Sequence, residues 1–158
     1  MVTGQTIVAL LPELISTAFV ILVLLVGAFA ERNAGLATGL ATLGTLAVFA
    51  SAAVLLATGF SGTFFGGGYV VDGFALYFKL IVAGSAFFAV LAAARWSGET
   101  GDAPEYLTLI LSVVLGATLL VSMRDLFGIF LAIELATIPS YAMVAFDRSR
   151  RESAEGGM

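Results

Sequence analysis

The sequence of 158 residues contains no cysteine and no histidine. Without these side chains the chain cannot form a disulfide bond, supply thiolate ligands to zinc or an iron–sulfur cluster, or ligate haem through histidine. A redox reaction that needs such a centre must therefore take place in another protein. Charged residues are also few, and the net charge of −4 with an isoelectric point near 4.6 argues against nucleic acid as a partner, since nucleic-acid binding requires a basic surface.

Apolar residues make up most of the chain. They account for 60% of the sequence, the mean hydropathy is +1.08, and they occur in long blocks rather than in the short runs of a soluble domain. Five blocks approach the roughly 20 residues that a helix needs to cross a bilayer. The sequence therefore predicts an all-α polytopic membrane protein with a single transmembrane region, with helices at about 11–30, 34–57, 74–94, 104–123 and 126–146 and a cytoplasmic tail at 147–158.

The arginines predict how this bundle is oriented. If the amino terminus lies outside, one arginine faces outward, Arg124, and five face inward: Arg32, Arg95, Arg148, Arg150 and Arg151. Basic residues concentrate on the cytoplasmic side of membrane proteins. We therefore predict an N-out, C-in arrangement in a lipid bilayer.

Glu134 is the most informative charged residue. It lies in the uncharged run 126–146, about 12 Å along the helix from Leu126 at a rise of 1.5 Å per residue. A carboxylate at this depth costs at least about 2.5 kcal/mol, and such residues commonly belong to proton or ion pathways. We predict that Glu134 is a proton relay. The alternative is a carboxylate that only forms hydrogen bonds between packed helices.

Three neighbours of Glu134 are candidate supporting residues. Pro139 has no N–H group to offer the carbonyl of Leu135, which frees a polar group beside the carboxylate. Thr137 and Ser140 carry hydroxyl groups that could line a hydrated path. The alternative for Pro139 is an ordinary helix kink.

Lys79 is a further candidate supporting residue, with two interpretations. It lies about five residues, or roughly 8 Å, inside the third predicted helix, so its flexible stem could carry the ammonium group to the outer interface. Alternatively, it could pair with a buried acid. Asp72 is placed to cap the same helix, while Pro12 and Glu13 are typical of a helix start, where an acid meets the positive end of the helix dipole.

Several short motifs, in this order and spacing, resemble subunit N of the bacterial NADH:quinone oxidoreductase, respiratory complex I. They are Leu11-Pro12-Glu13, Val71-Asp72-Gly73-Phe74-Ala75-Leu76-Tyr77, Pro104-Glu105-Tyr106-Leu107 followed by Gly116, the run LFGIFLAIELATIPSY over 126–141, and Ser153-Ala154-Glu155.

The resemblance implies a membrane-arm subunit in the bacterial inner (plasma) membrane, where proton translocation is coupled to electron transfer from NADH to quinone. It implies other membrane subunits of the complex as partners. NADH, FMN, iron–sulfur clusters and quinone would be bound by other subunits, and no cofactor or metal by this chain. Members of the family are much longer, so the chain resembles only their amino-terminal third, a fragment expected to be inactive alone.

The resemblance also implies a role for one residue. Glu134 would be the acid of a proton half-channel, paired with a lysine on a later helix that this sequence does not contain. Lys79 lies on a different helix and is not that lysine, so we expect Glu134 to be unpaired here. Two other functions stay open at this point, an Mrp-type cation/proton antiporter subunit and a membrane scaffold without transport activity.

Overall fold

The computed structural model of the chain describes residues 4–29, 33–100 and 102–146. The predicted cytoplasmic tail at 147–158, Arg32 and the three tail arginines lie outside the described residues. The predicted orientation in the membrane therefore stays a prediction.

The described part of the chain contains six α-helices and one β-hairpin. The elements are α1 (Gly4–Ala9), α2 (Leu11–Phe29), α3 (Ala34–Ala57), β1 (Gly62–Phe64), β2 (Tyr69–Val71), α4 (Gly73–Thr100), α5 (Ala103–Leu120) and α6 (Leu126–Val144). The helices α2 to α6 are each long and apolar enough to cross a membrane. The predicted all-α membrane fold with five transmembrane helices is thus confirmed.

Polar residues define where the helices begin. The side chains of Asn33 and Asp125 accept hydrogen bonds from the backbone N–H groups of Leu36 and Gly128, at 3.0 and 2.8 Å. Such bonds satisfy backbone donors that have no partner within the first turn of a helix. Pro104 lies in the first turn of α5, where its missing N–H group has no cost.

The helix α5 lies at the centre of the bundle. It packs against α2, α3, α4 and α6, while α6 packs mainly against α5 and leaves most of its apolar side chains exposed. One cluster of buried residues joins α2, α3, α4 and α5: Val23, Val26, Ala37, Ala41, Val90, Ala93, Leu107, Ile110 and Leu111. A second cluster lies beneath the hairpin and contains Ala9, Leu55, Tyr69, Val71 and Leu76.

The β-hairpin covers one end of the bundle, which we call the hairpin end. Its antiparallel strands pair Gly62 with Val71 and Phe64 with Tyr69, and the tight turn between them places Gly66 and Gly67 at positive φ, which glycine adopts without strain. The backbone of β2 is also bonded to the α5–α6 connection, since Val70 N–H donates to the Ser122 carbonyl at 2.8 Å. The helices α2, α4 and α6 all begin at this end.

Asp72 caps α4, as predicted. Its Oδ1 accepts a hydrogen bond from Ala75 N–H at 2.8 Å, while its Oδ2 lies 4.0 Å from the guanidinium group of the exposed Arg124. We expect Asp72→Ala to lower the free energy of unfolding by about 0.5–2 kcal/mol, because the cap is lost. Asp72→Asn keeps an acceptor and removes only the exposed ion pair, so its loss should stay below about 1 kcal/mol. Chemical denaturation in detergent micelles measures both values, and equal losses would contradict the capping role.

Candidate functional site

A buried ion pair joins α2 to α4 at the hairpin end. The Lys79 ammonium nitrogen lies 2.6 Å from Glu13 Oε1, and the two side chains are 0% and 5% exposed. Lys79 therefore does not extend to the interface, and the first interpretation of this residue is wrong. Glu13 does lie in the first turn of α2, but its carboxylate is buried among helices and serves as the counter-charge of Lys79.

Tyr69 connects this pair to the hairpin. Lys79 donates a hydrogen bond to the Tyr69 hydroxyl group at 2.9 Å, and its nitrogen lies 5.2 Å from the centre of the Tyr69 ring. The Tyr69 hydroxyl group in turn donates to the Ala9 carbonyl at the end of α1, over a longer distance of 3.4 Å. The Tyr69 hydroxyl group thus links Lys79 on α4 to the end of α1.

The hydroxyl group of Tyr69 stays protonated in this environment. Burial raises the pKa of Tyr69 well above its ordinary value, and the nearby negative charge of Glu13 raises the pKa further. Ser122 lies close enough to Tyr69 to oppose this shift, although its hydroxyl group forms no well-aligned hydrogen bond. Tyr69 therefore acts as a neutral hydrogen-bonding group beside the ion pair.

Several polar atoms around the pair lack hydrogen bonds. Lys79 pairs with Glu13 Oε1 and the Tyr69 hydroxyl group lies near the same carboxylate, but neither Glu13 oxygen accepts a well-aligned hydrogen bond from the described residues, although an ionised carboxylate offers about four acceptor positions. The hydroxyl oxygens of Ser16 and Ser122 are buried without a hydrogen-bond partner. We call Glu13, Ser16, Tyr69, Lys79 and Ser122 the hairpin-end cluster.

Glu134 lies on a different part of the bundle, beside α5. Glu134 is half-buried. Within the part of the chain that the structure describes, no residue forms an ion pair or a hydrogen bond with its carboxylate. Gly116 on α5 allows α5 and α6 to pack closely beside Glu134. A Cβ atom added at Gly116 would lie 2.6 Å from Ala136 N and 2.9 Å from the Ala132 carbonyl oxygen. The backbones of α5 and α6 therefore touch along the turn that carries Glu134.

The predicted supporting residues of Glu134 do not form one group. Thr137 is half-buried and lies three residues further along α6, on the same face of the helix. Ser140 instead lines an open, largely apolar groove of about 620 Å³ between α4, α5 and α6, and its hydroxyl group donates to the Ala136 carbonyl at 2.7 Å. Pro139 lies inside α6, which continues beyond it to Val144. Their proposed roles in a proton path stay predictions.

The hairpin-end cluster was only partly visible in the sequence. Lys79 is the only lysine of the chain, and pairing with a buried acid was one of its two interpretations. Glu13 and Lys79 each lie near the start of a helix, and these two helices run in the same direction. The roles of Tyr69, Ser16 and Ser122 had no sequence signal. Tyr69 belongs to a three-residue strand that is too short to show an alternating pattern, and buried serines are common between membrane helices.

The chain is similar to known proteins over nearly its whole length. It is 70% identical over 158 residues to an NADH-quinone oxidoreductase subunit N from Rubrobacter xylanophilus, covering 99% of this chain and 33% of that protein. It is 36% identical over 148 residues to the protein of that name from Sphingopyxis alaskensis, covering 93% of this chain and 30% of that protein.

An F(420)H(2) dehydrogenase subunit N from Methanosarcina mazei is 32% identical over 161 residues, covering 98% of this chain and 33% of that protein. The chain thus spans about a third of the length of the curated relatives it matches. No family model matches the chain.

Proposed function

Because the chain belongs to the subunit N family of NADH-quinone oxidoreductases, over the third of those proteins that it spans, we propose that it forms part of the membrane arm of such a complex. In this proposal it contributes to proton translocation coupled to electron transfer from NADH to quinone. Its partners are the other membrane subunits, and its location is the bacterial inner (plasma) membrane. The names of these relatives favour this function over an antiporter subunit or a scaffold.

The redox steps are assigned to other subunits in this proposal. The sequence contains neither cysteine nor histidine, the usual protein ligands of iron–sulfur clusters and haem. Iron–sulfur clusters would therefore be bound elsewhere in the complex, and we assign NADH, FMN and quinone to other subunits as well. The sequence similarity to a subunit of an F(420)H(2) dehydrogenase agrees with the assignment of the redox steps to other subunits. That name specifies a different electron donor, although the membrane segment is similar.

The single observation that carries the proton role is the position of Glu134. Its carboxylate lies within a transmembrane helix, next to the tight α5–α6 contact, and has no counter-charge among the described residues. Lys79, the only lysine of the sequence, is already held by Glu13. A carboxylate in this position binds a proton when no positive charge is near and releases it when one approaches, since an opposite charge favours the ionised form. This exchange is the step that we assign to Glu134.

Glu134→Gln tests the proposal in the complete complex. The amide keeps the size of the side chain but cannot release a proton, so we expect proton translocation per NADH oxidised to fall, while the complex still assembles. Proton uptake into membrane vesicles, measured together with NADH oxidation, gives this ratio.

Two controls separate the proton role from packing. Glu134→Asp keeps a carboxylate and should retain part of the translocation. Leu131→Gln places the same amide three residues away on an exposed part of α6 and should leave the ratio close to that of the unmodified complex. An unchanged ratio in Glu134→Gln, or an equal loss in Leu131→Gln, would contradict the assignment.

A further inference from the structure

The helix α6, which carries Glu134, is supported mainly by one other helix of the described chain. It packs against α5, and most of its large apolar side chains are exposed. Beyond Glu134, where Ser140 and Val144 lie, the open groove of about 620 Å³ runs between α6 and the helices α4 and α5. Helix packing alone therefore does not fix the position of α6 relative to α2 and α4.

The β-hairpin provides a second support, at the start of α6. Val70 N–H donates to the Ser122 carbonyl at 2.8 Å. Arg124 N–H in turn donates to the Gly68 carbonyl at 2.9 Å. Gly68 also lies close to the residue that caps α6, since a Cβ atom at Gly68 would be 2.9 Å from Asp125 Oδ2. The hairpin thus holds the connection that leads into α6.

Tyr69 joins this support to the helices on the other side of the hairpin end. It is 1% exposed and lies between the two hairpin residues that bond to the α5–α6 connection. Its hydroxyl group accepts a hydrogen bond from Lys79 at 2.9 Å, and Lys79 is held by Glu13 at 2.6 Å. One hydroxyl group therefore links α2 and α4, through β2, to the start of α6.

The ion pair suits this linking role better than apolar side chains would. Apolar side chains could join α2 and α4 at similar or lower cost, so packing alone does not explain the charges of Glu13 and Lys79. Apolar contacts are non-directional, whereas a hydrogen bond restricts both a distance and an angle. The Lys79 ammonium group, held by Glu13, gives the Tyr69 hydroxyl group a donor in a fixed place.

From these contacts we infer that Tyr69 is a positioning residue for α6 and for Glu134 on it. The Tyr69 hydroxyl group holds β2 in place, and β2 holds the first turn of α6. Glu134 lies about two turns further along a continuously hydrogen-bonded helix, so its position follows that of the first turn. The part that concerns Glu134 rests on the proposed function, because small displacements of a reacting group can slow a reaction strongly.

Hydrogen exchange in the complete complex, measured by mass spectrometry, tests the support of α6. Tyr69→Phe keeps the ring and removes only the hydroxyl group. We expect exchange in peptides that cover 68–72 and 121–130 to become about 2- to 10-fold faster, the effect of one lost hydrogen bond, and exchange in α3 to stay unchanged. A residue that only stabilised the whole subunit would alter exchange in α3 as well. The matched control Tyr77→Phe removes an exposed hydroxyl group at the same end and should change neither region.

Proton translocation per NADH oxidised, measured on the same complexes, tests the connection to Glu134. Tyr69→Phe should lower this ratio to a value between those of the unmodified complex and of Glu134→Gln, whereas Tyr77→Phe should not lower it. Combining Tyr69→Phe with Glu134→Gln should cause no loss beyond that of Glu134→Gln alone, because Tyr69 acts through Glu134. Additive losses would contradict the inference.

Gly68→Ala tests the same support from its other side if Tyr69→Phe prevents assembly. The added methyl group meets Asp125 Oδ2 at 2.9 Å, so the cap of α6 must shift while Tyr69 and the ion pair stay intact. We expect faster exchange over 121–130 and a lower translocation ratio. Gly73→Ala is the matched control, because it adds a methyl group at the same end with nothing within 4 Å.

The inference is overturned if Tyr69→Phe and Tyr77→Phe complexes exchange at equal rates over 68–72 and 121–130. It is also overturned if Glu134→Gln lowers the translocation ratio and Tyr69→Phe leaves it unchanged, a result that would keep the proposed function intact. Conversely, if Glu134→Gln itself has no effect on the ratio, the proposed function fails. Faster local exchange in Tyr69→Phe would then still support the positioning of α6 by the hairpin.

Discussion

Lys79→Met should lower the free energy of unfolding of the chain by about 3–5 kcal/mol at neutral pH, the range typical for breaking a buried ion pair on one side. The methionine side chain has a similar length and fills the same space. The loss therefore comes from the charge: Glu13 would stay buried with no counter-charge among the described residues, and Tyr69 would lose the donor that holds it at 2.9 Å.

Unfolding by denaturant in detergent micelles measures this loss, and two variants define its origin. The double variant Glu13→Gln with Lys79→Met removes both charges and should recover most of the stability, because buried ion pairs can be replaced by neutral groups at little cost. Arg124→Met breaks the exposed pair with Asp72 and should cost less than about 1 kcal/mol. A double variant as unstable as Lys79→Met would show that the stem of the lysine, rather than its charge, is the important part.

The transmembrane helices could be predicted from the sequence, while the hairpin-end cluster could not. Each spanning helix is specified by a long apolar run, a signal contained in the run itself. The pairing of Glu13 with Lys79 depends instead on which helices pack together, and a whole helix, α3, and the hairpin separate them along the chain. The depth of Lys79 within its predicted helix is compatible with two placements of its ammonium group, at the interface or paired with an acid.

The short elements were missed for a related reason. The segment from Gly59 to Gly68 is rich in glycine, a composition typical of a loop, but part of it forms β1 and pairs with β2. Strands of three residues contain too few positions to show alternation. Their stability comes from hydrogen bonds to each other and to the α5–α6 connection, which no local pattern reveals.

Gly116→Ala is the second change for which we expect a large effect. A Cβ atom at this position would lie 2.6 Å from Ala136 N, 2.8 Å from the Leu135 carbonyl carbon and 2.9 Å from the Ala132 carbonyl oxygen. All three are backbone atoms, so no side chain can rotate away and α6 itself must move. Overpacking of this kind typically costs about 1–3 kcal/mol, and the greater helix propensity of alanine offsets only part of it. Thermal unfolding of the chain in micelles measures the loss.

Gly39→Ala is the matched control, because it adds the same methyl group to a glycine in a transmembrane helix with nothing within 4 Å of the new atom. This variant should gain about 0.4–1 kcal/mol, since alanine restricts the unfolded chain. If both variants changed stability in the same direction, the close contact of α5 and α6 would not be the cause.

The same variant also tests whether the position of Glu134 matters. The atoms that Gly116→Ala would displace lie on both sides of Glu134 along α6, at Ala132 and Ala136. Moving this turn changes the surroundings of the carboxylate without removing it. In the complete complex, we therefore expect Gly116→Ala to reduce proton translocation per NADH oxidised, whereas Gly39→Ala should not. If a Gly116→Ala complex assembles and translocates protons normally, proton exchange at Glu134 does not depend on the close contact between α6 and α5.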